Sequence, residues 1–263
     1  MLRKLKKAIP AIVSAVLCVA MALGITASAA SVWSDAKALT TAKYNANYIK
    51  WVEKYSQKDA KSTVTFSKSR TKKFLEKQIK ATKSDDPQTC VSLINKDGIA
   101  SVAYKGDNMK LVLYENGMGL AFYANSKKMT MLSISNKKKT TVTVTDEMEY
   151  DELIGEMNQS FMNFDSDDYY ANLGISENAK GKLFKIKSGD KTYYYEEFKS
   201  ADYDKFGFLF TEKGTPVAMI GDDLIACFTI TNNVKDSEFT VPNGYKEADI
   251  TDLGIIDLIA DLG

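Results

Sequence analysis

Three consecutive tyrosines and two adjacent glutamates share one short segment, KTYYYEEFKS at 191–200. Carboxylates beside aromatic rings are the equipment of glycoside hydrolysis, in which one carboxyl group protonates the leaving oxygen while the other attacks or activates water. The two groups must flank a single bond, about 5 to 9.5 Å apart. Whether Glu196 and Glu197 can do so depends on the element that carries them. The chain contains no histidine. That excludes the serine–histidine–aspartate triad, the cysteine–histidine dyad and every histidine-ligated zinc site. Carboxylate-only catalysis and oxygen-ligated metals remain. The acidic clusters at Ser84–Pro87, Asp165–Asp168 and Gly221–Asp223 are the places to look for calcium. A calcium loop offers alternating oxygen ligands and a closing glutamate. None of the three does so over a full loop, although Asp165, Asp167 and Asp168 come nearest. They read as solvated turns, and no metal site or cofactor is expected.

The first thirty residues read as an export signal. Arg3, Lys4, Lys6 and Lys7 form a basic start, an apolar run extends from Ala8 to about Ile25, and small residues follow in TASAA. This order fits cleavage near Ala29 or Ala30. Cys18 is preceded by Leu17 rather than a small residue, so it belongs to the apolar run and not to a lipid-attachment site. The mature part, 31–263, reads as one domain with ample core. Of the 35 basic residues, four lie in the leader, leaving 31 against 34 acidic ones. There is no basic excess to attract nucleic acid. No later apolar run reaches the roughly 20 residues that span a bilayer. Cys90 and Cys227 are the cysteines of the mature part. An exported protein can join such a pair in a disulfide; their apolar flanks, QTCVSL and IACFTI, favour two buried strand thiols.

The spacing of Tyr44, Tyr48, Trp51, Val52 and Tyr55 predicts an amphipathic helix over 32–55. SRTKKFLEKQIKAT predicts a second, with Phe74, Leu75 and Ile79 on one stripe. From TCVSLIN onward the period changes. Short runs of β-branched, aromatic and aliphatic residues alternate with turn residues about every ten positions, as in an antiparallel meander. Asn116-Gly117 suits a two-residue hairpin and opposes Leu113 to Leu120 and Leu111 to Phe122. A third helix is expected from Asp146, a cap with Glu149 three residues on, through Phe161. Strands resume at KLFKIK, TYYYEEF, KFGFLFT, TPVAMI and DLIACFTIT, and a short closing helix ends the chain. The expected fold class is α+β: a large curved antiparallel sheet, an incomplete barrel, with helices packed on its concave face.

A hairpin turn at Gly189-Asp190 places Ile186 opposite Tyr193, Phe184 opposite Tyr195 and Lys182 opposite Glu197. Successive strand residues point to opposite faces. Glu196 and Glu197 therefore diverge and cannot flank one bond, and no catalytic residue is expected. Phe184, Ile186, Tyr193 and Tyr195 share a face. Phe206, Phe208 and Phe210 share a face of their own strand. Joined to Phe184 and Tyr195, they would make a broad aromatic concave surface. Two readings stand for it: a core filled by the helices, or a cavity for an apolar ligand such as an acyl chain. The lysine runs SKSRTKKF and NKKKTT are either solvated or turned toward an anionic cell wall or lipid surface.

The segment KSGDKTYYYEEFKSADYDKFGFLFTEKG, followed by DSEFTVPNGYKEADI, resembles the lipoprotein-sorting, or outer-membrane lipoprotein carrier, fold, and more closely secreted versions from Gram-positive gut bacteria. The resemblance rests on the late hairpins and on Phe239, Pro242, Gly244 and Tyr245, and it covers about half the mature chain. It implies an incomplete antiparallel barrel with helices plugging the concave side, and apolar-ligand binding. In the carrier proteins an arginine on an early strand fastens the helical lid. Here Arg70, the only arginine outside the leader, falls on or just before a helix, and no functional residue is carried over. The expectation is an exported, non-enzymatic protein holding a lipid or other apolar ligand between sheet and helices. The alternative is a surface adhesion or interaction module with a filled core. Partners would be a lipid or apolar small molecule and a cell-wall or membrane surface, with the oligomeric state left open.

Overall fold

The computed structural model describes residues 32–82, 85–116, 118–125, 128–135, 138–144, 174–199, 204–221 and 224–247. The expected leader, the helix expected from Asp146, the Asp165–Asp168 cluster and the closing helix lie outside the described residues.

One open antiparallel sheet dominates, curved but not closed into a barrel, so the α+β class is as expected. Its central strands are β2 (Gln88–Ile94), β3 (Gly98–Lys105), β4 (Asn108–Glu115), β5 (Met118–Asn125), β6 (Lys128–Ser135) and β7 (Lys138–Val144), a simple meander. On the other side of β2 come β8 (Lys180–Ser188), β9 (Lys191–Phe198), β10 (Phe206–Thr211), β11 (Pro216–Ile220) and β12 (Ile225–Thr231), with β12 paired to β2. Two short strands form the edges: β1 (Ser62–Thr65) beside β8, and β13 (Lys246–Glu247), the one parallel pairing among the described residues, beside β7. Both hairpin registers read from the sequence are present. Asn116 takes φ of 50° and Leu113 meets Leu120; Gly189 takes φ of 56° and Ile186 meets Tyr193. Positive φ is accessible to asparagine and glycine and suits the twist of a two-residue turn.

The N-terminal helix expected over 32–55 is two helices, α1 (Val32–Lys43) and α2 (Ala46–Ser56). Asn45 breaks it. Its backbone is extended and its side chain accepts from the Asn47 amide, the hydrogen bond of a helix N-cap. The sheet supports the break: Cys227 Sγ accepts from the Asn45 amide at 3.3 Å and donates to the Asn45 carbonyl at 3.6 Å. The third described helix, α3 (Arg70–Thr82), matches the sequence reading.

These helices do not all occupy one face. On one side, here the α1 face, Val32, Trp33 and Ala36 of α1 pack on Ile94, Ile99, Val112 and Ala121, and Val52 of α2 packs with Ile186, Tyr193, Tyr195 and Leu209. On the opposite side, the α3 face, Phe74, Leu75 and Ile79 pack on Phe208, Phe210, Met219, Phe228 and Ile230. The expected arrangement put the helices on the concave face alone; the strand alternation instead carries apolar residues on both sides, and each side takes its own helix. Trp33 lies against Gly119, where any Cβ would collide with its ring, and stacks 6.3 Å from Tyr114. That close approach explains a glycine in the interior of β5.

Candidate functional site

The seven residues expected to make one aromatic surface divide between the two faces. Pairing of β9 with β10 sets Tyr195 against Leu209 and Glu196 against Phe208. Phe206, Phe208 and Phe210 therefore lie on the α3 face, whereas Phe184, Ile186, Tyr193 and Tyr195 lie on the α1 face. The reason is register. The β9–β10 connection is long, so no turn type fixed the count, and a shift of one residue exchanges the faces of a whole strand. Both groups are packed. Phe74 meets Phe208 edge-on at 5.4 Å, and Trp51 lies 5.1 Å from Tyr193. Tyr195, Phe208 and Phe210 are fully buried. The filled-core alternative describes this part of the molecule.

The two glutamates diverge as alternation requires, and each fixes a helix. Glu196 is fully buried on the α3 face. Its Oε1 accepts from the Arg70 amide at 3.2 Å and from Arg70 Nη1 at 3.4 Å; its Oε2 accepts from the Thr71 amide and hydroxyl, both at 3.0 Å. Ser69 Oγ accepts the next amide, that of Lys72, at 2.9 Å. The first free amides of α3 are thereby satisfied, and a negative charge sits at the positive end of the helix. A buried carboxylate costs several kcal/mol unless its oxygens find donors, and these do. Glu197, on the α1 face, accepts from the Tyr195 hydroxyl and pairs with Lys182 Nζ at 2.8 Å. Lys182 also donates to the Ser56 carbonyl at 2.8 Å, which places its charge at the C-terminal end of α2. Burial and the Glu197 charge push the Tyr195 hydroxyl upward, so it remains a donor. This set of contacts positions helices and offers no pair of acids converging on one bond.

Space for a ligand occurs elsewhere. A cleft of about 320 Å³ opens between α1 and strands β2–β4. Small side chains leave it there: Ala36, Ala38 and Ala42 on the helix, Ser101 and Ala103 on the sheet. Its apolar walls are completed by Val32, Leu39, Ile99 and Val112. Asp35, Lys43, Lys110 and Glu238 add charged groups to its lining, with Asp35 near Lys110 and Glu238. Lys110 Nζ pairs with Glu238 at 3.0 Å, tying the short 3-10 turn Asp236–Phe239 to β4, and Lys105 holds Asp236 at 2.8 Å. Burial raises the Asp35 carboxyl above its ordinary range; Lys110 opposes this and Glu238 adds to it.

The cleft also contains Cys90, on the same face as Ser92 and Ser101, whose hydroxyls are 2.9 Å apart. Burial pushes the Cys90 thiol up to about 11, so it stays protonated and poorly nucleophilic near neutral pH. Cys90 and Cys227 are free thiols. Cys90 pairs with Thr231, four residues along β12 from Cys227. That is about 13 Å of strand, well beyond the roughly 7 Å limit for a disulfide.

None of the cleft residues was singled out by sequence pattern except Cys90. The available signal was the alanine spacing of α1 opposite Ser101 and Ala103, which matters only once the strands are assembled. Of the acidic clusters, the described Asp86 accepts from Gln88 Nε2 at 2.8 Å, as in a local turn. No group of metal-binding side chains occurs among the described residues. Compared with known proteins, the chain matches no family model and no curated protein.

Proposed function

We propose that the protein is an exported, non-enzymatic binding protein that holds a small apolar or amphipathic molecule in the cleft beneath α1. The observation that carries this reading is the cleft itself. Its volume of about 320 Å³ falls at the lower end of the roughly 300–1,000 Å³ of small-molecule sites. Mostly apolar walls carry a few charged groups, the arrangement that holds a ligand body and orients its polar part. One fact weighs against catalysis at the residues first considered: Glu196 and Glu197 serve opposite faces of the sheet. Export is supported by the composition of the first thirty residues.

Native mass spectrometry of the purified protein, with organic extraction of anything bound, tests the reading. The expected result is a co-purifying apolar molecule, or saturable binding of an added apolar fluorophore that disappears when Ala38 is replaced by tryptophan. Binding unaffected by that substitution would move the ligand elsewhere. A second reading, a surface interaction module without a small-molecule ligand, is favoured by the filled packing around Tyr195, Phe208 and Phe210. It expects no apolar ligand under either measurement.

A further inference from the structure

The sequence is close to neutral, but its charge is unevenly spread. Helix α3 carries Arg70, Lys72, Lys73, Lys77 and Lys80 against the single acid Glu76, and β8 carries four lysines and no acid. Helical spacing sorts the α3 charges. Lys72 lies on one flank and is paired with Glu76 at 3.0 Å and Glu177 at 2.9 Å. Arg70, Lys73 and Lys77, at i, i+3 and i+7, form a stripe on the other flank. Lys73 and Lys77 are exposed and have no acidic partner among the described residues. The same stripe continues onto the sheet. Arg70 stacks over the Tyr194 ring at 3.6 Å, and Lys185 Nζ lies 5.9 Å from the same ring. Lys187 follows Lys185 on that face by strand alternation, and both are exposed. Of the acids near this surface, Glu196 is buried under Arg70 and Glu76 pairs with Lys72, while Asp190 and Glu212 sit in the turns that end β8 and β10.

We propose that this surface, Lys73, Lys77, Arg70, Lys185 and Lys187 around the Tyr194 ring, docks the protein onto a membrane rich in anionic phospholipid. The chemistry is complementary. Strongly hydrated ammonium groups stay in water and meet lipid phosphates at long range, each lysine near such a surface adding to the attraction. The guanidinium is pre-aligned by its ring and buried carboxylate. The tyrosine supplies an amphipathic ring suited to the headgroup level. The α1 cleft opens on the other face of the sheet, so docking by this surface leaves it uncovered. The inference stands apart from the ligand reading, because it uses neither the cleft nor its residues.

Co-sedimentation with vesicles tests it. The protein is mixed with vesicles of phosphatidylglycerol and phosphatidylcholine, and with vesicles of phosphatidylcholine alone, at low and high salt. The expected result is sedimentation with the anionic vesicles only, released by 0.5 M salt because screening shortens the Debye length to about 4 Å. The combined variant Lys73→Glu, Lys77→Glu, Lys185→Glu should bind at least tenfold more weakly. A variant reversing Lys37, Lys50 and Lys58, exposed on the α1 and α2 side, should bind as the parent does. Circular dichroism and Tm check that both variants fold. Four results would overturn the proposal: no binding to anionic vesicles at low salt, equal binding to neutral vesicles, equal loss in both variants, or capture by a soluble phosphate polymer without any binding to vesicles.

Discussion

The two faces of the sheet meet the same requirement, burial of an apolar surface, in different ways. On the α3 face, Phe74 wedges among Phe208, Phe210 and Phe228, with ring centres 5.4, 6.3 and 6.2 Å away. Large rings on helix and sheet meet edge to edge, and a buried carboxylate fixes where the helix starts. On the α1 face the first helix turn is equally tight, with Trp33 against Gly119, but beyond it the contacts are alanine over serine and alanine. There the helix stands over a cleft. The sheet is therefore solidly packed under α3 and α2 and has room under α1, and residue size rather than hydrophobicity separates these regions.

Substitutions should break this comparison by unequal amounts. Phe208→Ala should cost most, about 3–5 kcal/mol, because the cavity lies among rings that cannot close over it. Chemical denaturation would measure it; a loss below about 1 kcal/mol would mean the α3 face is loosely packed. Glu196→Ala should follow at about 2–3 kcal/mol, since it leaves the Arg70 and Thr71 amides without their acceptor. Glu196→Gln keeps an acceptor oxygen and should cost about half as much, and an equal cost for both variants would show that the charge, not the capping geometry, matters. On the looser face the effects shrink and change sign. The Asp35 carboxyl is raised by burial, so the folded state holds its proton more tightly than the unfolded state. Stability from this group is present at low pH and falls as pH rises through the window just above the ordinary carboxylate range. Asp35→Asn should therefore raise Tm at pH 7 by about 1–3 °C and leave it unchanged at pH 3. A decrease at pH 7 would mean that the attraction to Lys110 outweighs the cost of burial.

What the sequence revealed follows the reach of each rule. Local rules were sufficient for Asn116 and Gly189: turn type fixed the registers of two hairpins, and with them the separation of Glu196 from Glu197. They were insufficient at Asn45, where amphipathic spacing runs through Tyr44 and Tyr48 but a capping side chain and the distant Cys227 thiol divide the helix. The aromatic surface was misjoined for a similar reason. Alternation is certain within a strand, but between β9 and β10 it depends on a register that a long connection does not specify. The cleft is harder still to read, because it is made of what small side chains leave empty. The adjacent glutamates, which first suggested a hydrolase, turn out to be two helix clamps back to back: Glu196 at the start of α3, and Glu197, through Lys182, at the end of α2.

The most direct test of the account is a titration of the protein with N-phenylnaphthylamine, comparing the parent chain with Ala38→Trp. Ala38 is exposed on α1 and lines the cleft, so the larger ring should occupy the space with little change in Tm. The account predicts saturable binding to the parent and none to the variant at equal stability. Equal binding by both proteins would contradict it, as would no binding by the parent.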